Sequence, residues 1–353
     1  MERVIGPGHG YAHDMRYRQI GKTGIQVSEI GFGCWTMGGP NWSTSNGQSI
    51  GWADVNADDV LAGIKAGLDA GVNHWDNADI YGNGRAERTL GEAFRTLGVR
   101  RADQVIATKV GHFKGTAPYA YEPRHIRNQC EQSLRNLRVD HIDIYYFHHG
   151  TFVGPGYDDR PHDYLAEATE TMHALLKEGK IRSIGQSAYS HEDFARAVPV
   201  LKPHVLQNKA NLRYDDFIRQ DSPTQKLMDQ YGCTFVAFGP LDQGILLDKF
   251  DPRNPPQFEE GDYRRNRKDF DSRTLEAVRG KLEQVKDRFG AAGVSDIETL
   301  SSAASRWVLT HRNVCSAIPG FRNQRQAACN LRAAADEPMT AADAQWLREL
   351  FAR

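Results

Sequence analysis

The sequence predicts a (β/α)8 barrel of the TIM type, an α/β fold, with an N-terminal β-hairpin and an additional C-terminal helix. Three observations carry this expectation. Eight short apolar runs of strand length recur along the chain. Segments with helical spacing of apolar residues lie between them. The length of 353 residues is what one such barrel with insertions uses.

Taken in order, residues 1–14 contain three glycines and a proline without periodicity and read as a flexible N-terminal arm. The remainder, 15–353, reads as one barrel domain. MRYRQIGKTGIQVSEI (15–30) offers strand, glycine-containing turn and strand, hence a hairpin. The eight expected barrel strands are 29–34, 73–77, 104–110, 141–148, 182–187, 205–208, 234–238 and 314–319. Helical segments are expected at 56–70, 85–97, 123–137, 164–178, 192–201, 223–231, 296–309 and 324–334. Asn56 before an Asp pair, and Ser190 three residues ahead of Asp193, are fitting helix starts. Strand–helix alternation implies parallel strands with right-handed crossovers. A doubly wound open sheet would share that alternation, but eight units close naturally into a barrel. Residues 242–273 break the pattern with a long, charged, proline-bearing stretch, expected to be a gate over the barrel mouth. A further helix is expected over 340–353.

Composition narrows the functional classes. With 44 Lys+Arg against 45 Asp+Glu, the net charge of -1 gives no basic field for nucleic acid or an anionic membrane. No apolar run reaches transmembrane length, and the first residues lack the apolar core of a signal peptide. The five cysteines are widely spaced without a CxxC, which reads as reduced thiols in a cytoplasmic protein with neither disulfides nor zinc. The sequence gives no sign of oligomeric state.

In a parallel barrel, reactive groups sit where strands end. The second strand ends in HWDNADIYGNG, with Asp76 and Tyr81; the third in IATKVG, with Lys109; the fourth in DIYYFHHG, with His148 and His149. Singly, each has an ordinary reading: a turn cap, a solvated lysine, a packing tyrosine. Together, at one end of a barrel, they make a site. An ammonium beside a phenol favours the phenolate, so Lys109 is expected to lower the Tyr81 pKa from about 10. Asp76 would hold the ammonium, and His148 would orient a carbonyl oxygen or relay a proton. That is general acid–base chemistry without metal or covalent nucleophile. Rival motifs are incomplete: GFGCWT lacks the third glycine of a dinucleotide fingerprint, GQSAY the last glycine of a nucleophile elbow, and the His148–His149 pair a partner at zinc spacing.

At these residues the chain resembles the aldo-keto reductase family, of bacterial type with similarity to the branch resembling channel beta subunits. The resemblance runs from Met15 to Leu350 and includes GFGCW, GKIRSIGQSAYS, QNKAN, FVAFGPLDQG and IPGFRNQRQAACNL. It implies a catalytic tetrad of Asp76, Tyr81, Lys109 and His148, and NADP(H) as cofactor with NAD(H) as the alternative. It implies that Ser187 and Gln207 hold the nicotinamide carboxamide and that Phe238 stacks on the ring. Trp35, Asp76, Gly239 and Pro240 would also meet the cofactor. Leu241, Asp242, Gln243, Gly244 and Lys249 would cover the pyrophosphate. Gly320, Arg322, Gln326 and Asn330 would surround the adenosine and its 2′-phosphate. A helix start offers free N–H groups, and a guanidinium suits phosphate, in agreement with that placing of Arg322. Trp35, Trp42, His149 and Phe152 are expected to wall the substrate pocket. Two departures bear on cofactor contacts: Ala188 replaces a usual polar residue beside Ser187, and Cys329 a frequent Glu. The implied activity is reduction of an aldehyde or ketone, or the reverse oxidation of a sugar or polyol. The alternative is a nicotinamide-binding regulatory subunit with little turnover.

Overall fold

Tyr17–Gln19 (β1) and Gln26–Ser28 (β2) pair antiparallel, Tyr17 opposite Ser28, to form the expected hairpin. This computed structural model describes residues 15–43 and 46–352, so the arm expected over 1–14 lies outside the described residues. The hairpin plugs the bottom of the barrel. Ile20, Ile25 and Val27 pack against Val105, Ile144, Val205 and Val236 inside it, and Arg18 donates to the Val314 carbonyl at 2.7 Å.

The barrel strands are Phe32–Gly33 (β3), His74–Asp76 (β4), Val105–Val110 (β5) and Ile144–Phe147 (β6). After a small antiparallel hairpin, Val153–Pro155 (β7) with Pro161–Asp163 (β8), come Ile184–Ser187 (β9), Val205–Lys209 (β10), Thr234–Phe238 (β11) and Val314–Ile318 (β12). All eight barrel strands pair parallel in chain order, which excludes the doubly wound sheet. Gly31 N donates to Ala317 O at 3.0 Å and Ala317 N to Glu29 O at 2.8 Å, closing β3 onto β12.

The surrounding helices are Ala57–Asp69 (α1), Arg85–Thr96 (α2), Pro123–Leu137 (α3), Leu165–Lys177 (α4), His191–Leu201 (α5), Pro223–Tyr231 (α6), Ser272–Phe289 (α7), Asp296–Leu309 (α8), Gln324–Ala335 (α9) and Ala341–Ala352 (α10). Asn56 caps α1 through Asp58 N and Asp59 N, and Ser190 caps α5 through Asp193 N. The sequence reading missed α7 and the β7–β8 hairpin. In α7 the buried Leu275, Val278, Leu282 and Val285 recur at three- and four-residue steps, but they are diluted by charge and interrupted by Gly280.

The long stretch after β11 is a strap and not an irregular excursion. Asp242, Gln243 and Gly244 all take positive φ, at 45°, 56° and 97°, turning the chain sharply at the barrel mouth. Phe250, Phe258 and Phe270 then pack edge to face. Further on, the strap is tied to the loop after β3: Tyr263 N donates to Gly51 O at 2.8 Å, and Asn266 Nδ2 to Ser49 O at 2.6 Å. Gly51 N returns a bond to Gly261 O at 3.1 Å. The strap therefore lies across the end of the barrel opposite the hairpin.

Candidate active site

Strand alternation sets which side chains enter the barrel. Along β5, Val105, Ala107 and Lys109 face inward, while Ile106 and Val110 face the helices. Along β6, Ile144 and Tyr146 face inward and Tyr145 and Phe147 outward, so His148 falls on the inner side. His74 and Asp76 do the same on β4, with Trp75 outward.

These strand ends bring the tetrad together. Lys109 Nζ donates to Asp76 Oδ2 at 2.6 Å, to Asn77 O at 2.6 Å and to the Tyr81 hydroxyl at 3.2 Å. The second Asp76 oxygen accepts from Gln207 Nε2 at 2.8 Å. Lys109 is fully buried, so its charge is matched by a carboxylate and a carbonyl, as a buried ion requires. The Tyr81 and His148 rings meet edge to face at 5.8 Å, and Trp35 stacks on Tyr81 at 5.9 Å.

The protonation states differ in part from the sequence expectation. Burial first, then the charge of Asp76, holds the Tyr81 hydroxyl well above its ordinary pKa. Burial therefore outweighs the neighbouring Lys109, and Tyr81 is a protonated phenol at neutral pH. Burial, with His112 and Lys109 nearby, pushes His148 well below the usual histidine range. It is a neutral imidazole whose Nδ1 is buried without a hydrogen bond.

Every residue assigned above to the cofactor lines one cavity of about 1200 Å³ that runs from the tetrad to the start of α9. Such a volume exceeds that of an ordinary small-ligand site and suits a dinucleotide together with a substrate. Ser187 and Gln207 sit opposite each other on paired strands, and Phe238 ends the next strand. Beyond them Lys249, Arg264 and Arg322 gather. Arg264 is held by both Asp262 oxygens and lies against the Trp52 and Phe258 rings. Lys249 and Arg322 form no ion pair with a carboxylate among the described residues; Arg322 donates to Ala53 O at 3.0 Å. Burial, then the charges of Arg264 and Arg322, pushes the Lys249 pKa down to about 8. Gly244 makes room for this lysine, since a Cβ there would stand 2.5 Å from Lys249 Cε. Two cations without an ion-pair partner among the described residues, beside a third that Asp262 neutralises, fit the phosphates of a nicotinamide dinucleotide. Gln326 Oε1 accepts from Arg322 N at 2.9 Å and Asn330 Nδ2 donates to Gly320 O at 3.1 Å, so these two side chains also shape the turn before α9.

Two expectations need correction. His149 and Phe152 do not line the cavity. As the neighbour of inward-facing His148, His149 points outward, its Nε2 paired with Gly111 O at 2.8 Å. Phe152 is fully buried behind it against Tyr121 and Phe147. Asp242 lines the cavity as expected, and its carboxylate is the shared partner of Arg213 and Arg267, which holds the turn. At the Ala188 departure, the backbone carbonyl accepts from Asn208 Nδ2 on the next strand. Cys329 remains at the cavity wall.

The structure adds cavity residues that the sequence reading did not single out. His112 and Tyr189 lie three and two residues beyond Lys109 and Ser187, so the strand-end rule would have found them if carried slightly further. Tyr263 reaches the cavity from the strap, 5.1 Å from the Trp35 ring, and no local signal marks it.

Because the strap forms one wall of the cavity, NADP+ is expected to slow amide exchange across residues 248–267. Hydrogen exchange with and without NADP+ checks this. Protection that rises near Phe238 and Arg322 but not in 248–267 would reduce the strap to a passive rim.

The chain belongs to the aldo/keto reductase family, whose model matches residues 29–351. It is 28% identical over 333 residues to a protein named "Probable voltage-gated potassium channel subunit beta" of Oryza sativa, covering 90% of this chain and 91% of that one. It is 30% identical to aldo-keto reductase YhdN of Bacillus subtilis, covering 88% and 86%. Its identity to the aldo-keto reductase yakc [NADP(+)] of Schizosaccharomyces pombe is 28%, covering 86% and 82%. The solved glycerol dehydrogenase of Gluconobacter oxydans superposes with a TM-score of 0.73 at 25% identity, covering 95% of each chain. The fold is thus the (β/α)8 barrel of an oxidoreductase family. Among the described residues, no helix is long and apolar enough to cross a membrane and no group of side chains could hold a metal ion.

Proposed function

We propose that this chain is an NADP(H)-dependent oxidoreductase that interconverts a small carbonyl compound and its alcohol. The observation that carries the reading is the Lys109 ammonium, bonded at once to Asp76 and to the hydroxyl of a protonated Tyr81 at the cavity floor. Bound in this cavity, NADPH would supply a hydride to the carbonyl carbon in the reducing direction, and the carbonyl oxygen would need a proton. Tyr81 donates that proton, and the adjacent Lys109 charge stabilises the phenolate left behind. Neutral His148 steers the oxygen without competing as an acid. Asp76 keeps Lys109 charged and placed. Ser187 and Gln207 orient the carboxamide end, while Lys249 and Arg322 meet the phosphates. The yakc name supports NADP, and the glycerol dehydrogenase supports an alcohol or carbonyl substrate. The buried free thiols suit the cytoplasm.

The similarity to channel beta subunits supports the regulatory alternative. The assembled tetrad favours turnover. NADPH oxidation and NADP+ reduction, followed with a panel of aldehydes, ketones, sugars and polyols, test the choice. Turnover of at least one member is expected. Tight NADPH binding with no turnover across the panel would favour the regulatory reading.

A further inference from the structure

The turn that carries Tyr81 also carries a second acid. Asp79 stands two residues before Tyr81, and its N donates to Lys109 O at 3.2 Å, which ties this turn to the strand that presents the lysine. The Asp79 side chain is not part of the cavity wall and turns instead towards α3. Its Oδ2 accepts from Gln129 Nε2 at 3.1 Å, and its Oδ1 is buried without a partner in hydrogen-bond geometry. Asp79 is only 7% exposed and forms no ion pair among the described residues.

The groups packed around Asp79 offer it no counter-charge of their own. From α2 comes Glu87, fully buried, its two oxygens accepting from Thr108 Oγ1 at 2.6 Å and from Asn136 Nδ2 at 2.8 Å. From β6 and from the turn before α3 come the phenols of Tyr145 and Tyr121, which burial keeps protonated. From α3 comes the neutral Gln129. The cation nearby, Lys109 on β5, is already bonded to Asp76. A carboxylate in such a place gives up its water and receives one neutral donor in return. Burial, with the charge of Glu87, pushes the Asp79 pKa up to about 7, and the opposing pull of Gln129, the Ile80 N–H and Lys109 does not offset it. Asp79 therefore changes charge across neutral pH, whereas burial lowers His112, His148 and His149 out of that range.

We propose that Asp79 is a positioning residue that sets the strength of Tyr81 as a proton donor: neutral Asp79 lets Tyr81 give up its proton, and ionised Asp79 opposes the phenolate and slows carbonyl reduction. This rests on the hydride-transfer reading proposed above. Tyr81 becomes an anion as it donates, so a second negative charge on the same turn disfavours that state while Lys109 favours it. Burial already holds the Tyr81 hydroxyl above its ordinary pKa, and the charges of Asp76 and Asp79 add to that. Asp79 touches neither substrate nor cofactor and acts only through Tyr81.

The test follows hydride transfer by itself, so that product release does not mask the effect. Protein saturated with NADPH is mixed with a saturating carbonyl compound that it reduces, and the loss of NADPH absorbance in the first turnover is recorded between about pH 6 and 8.5. Saturation with NADPH removes the separate titration of Lys249. The wild-type rate is expected to fall roughly 3–10-fold as pH rises, the effect of up to about one pKa unit on the donor, with a midpoint near 7. Asp79→Asn carries no charge at either extreme and should abolish the fall, so that it outruns the wild type at the alkaline end. Gln129→Met removes the amide that favours the carboxylate and should move the midpoint to higher pH with the fall intact. NADPH titration by fluorescence verifies that each variant is folded and binds cofactor. A level wild-type profile, or the same fall persisting in Asp79→Asn, would overturn the inference while leaving the enzyme reading intact. If Asp79→Asn fails to bind NADPH, an unmoved midpoint in Gln129→Met would overturn it instead. No NADPH oxidation with any carbonyl compound, despite NADPH binding, would overturn the enzyme reading and this inference with it.

Discussion

Tyr81→Phe is expected to cut carbonyl reduction by on the order of 10²–10⁴-fold while NADPH still binds. The variant removes only the hydroxyl that accepts from Lys109 Nζ at 3.2 Å, and the ring keeps its stacking on Trp35. Neutral His148 is a poor substitute donor, because burial holds its pKa well below the usual value. Asp76→Asn and Lys109→Met should also depress the rate, and the losses should not add, since the groups act as one unit. Those two variants also disturb a buried ion pair. Lys109→Met leaves Asp76 with Gln207 alone and should destabilise the fold by roughly 3–5 kcal/mol. Tyr81→Phe is therefore the cleaner probe, read as kcat at saturating NADPH beside a fluorescence titration of the cofactor. A kcat within tenfold of wild type would remove Tyr81 from the donor role.

The second large effect concerns the choice of cofactor. Arg322→Ala is expected to weaken NADPH binding by roughly 1.5–3 kcal/mol, the value of a charged hydrogen bond, and to leave NADH binding almost unchanged. Arg322 stands before α9, where among the described residues its guanidinium bonds to the Ala53 carbonyl and forms no ion pair, so donors remain for a 2′-phosphate. Equal losses for both cofactors would mean that it does not read that group. The same cluster predicts a pH dependence. In the free protein Lys249 titrates near 8, held down by burial and by Arg264 and Arg322. A bound phosphate favours the charged form and raises that pKa, so binding takes up a proton once the free lysine is deprotonated. NADPH affinity should be level below about pH 8 and fall at higher pH, approaching tenfold per unit. A dissociation constant unchanged between pH 7 and 9.5 would separate Lys249 from the phosphates.

The parts legible in the sequence were those governed by local periodicity. The eight strands announced themselves as apolar runs, and the two-residue alternation that buries Val105 and Ala107 also delivers Lys109 to the interior. Asp76, Tyr81 and His148 were found because barrel chemistry gathers at strand ends. The same alternation, applied one residue further, would have turned His149 outward, and Phe152 follows a strand whose last residues already pack against helices. The α7 helix was obscured because its apolar stripe is narrow and its remaining faces are charged. The strap was hardest to read. Its ties, such as Asn266 to Ser49, join residues more than two hundred positions apart, and no local pattern announces such a bond. The pairing of His112 with Tyr189 likewise depends on β5 and β9 being brought to the same rim.

Deuterium transfer tests the central claim most directly. Wild-type protein is incubated with [4,4-²H₂]NADPH and a carbonyl compound that it turns over, and the alcohol is analysed by mass spectrometry and NMR. Hydride transfer at this site predicts one deuterium per product molecule, on the former carbonyl carbon, with the hydroxyl hydrogen drawn from solvent by way of Tyr81. Product carrying solvent hydrogen at that carbon would contradict the account.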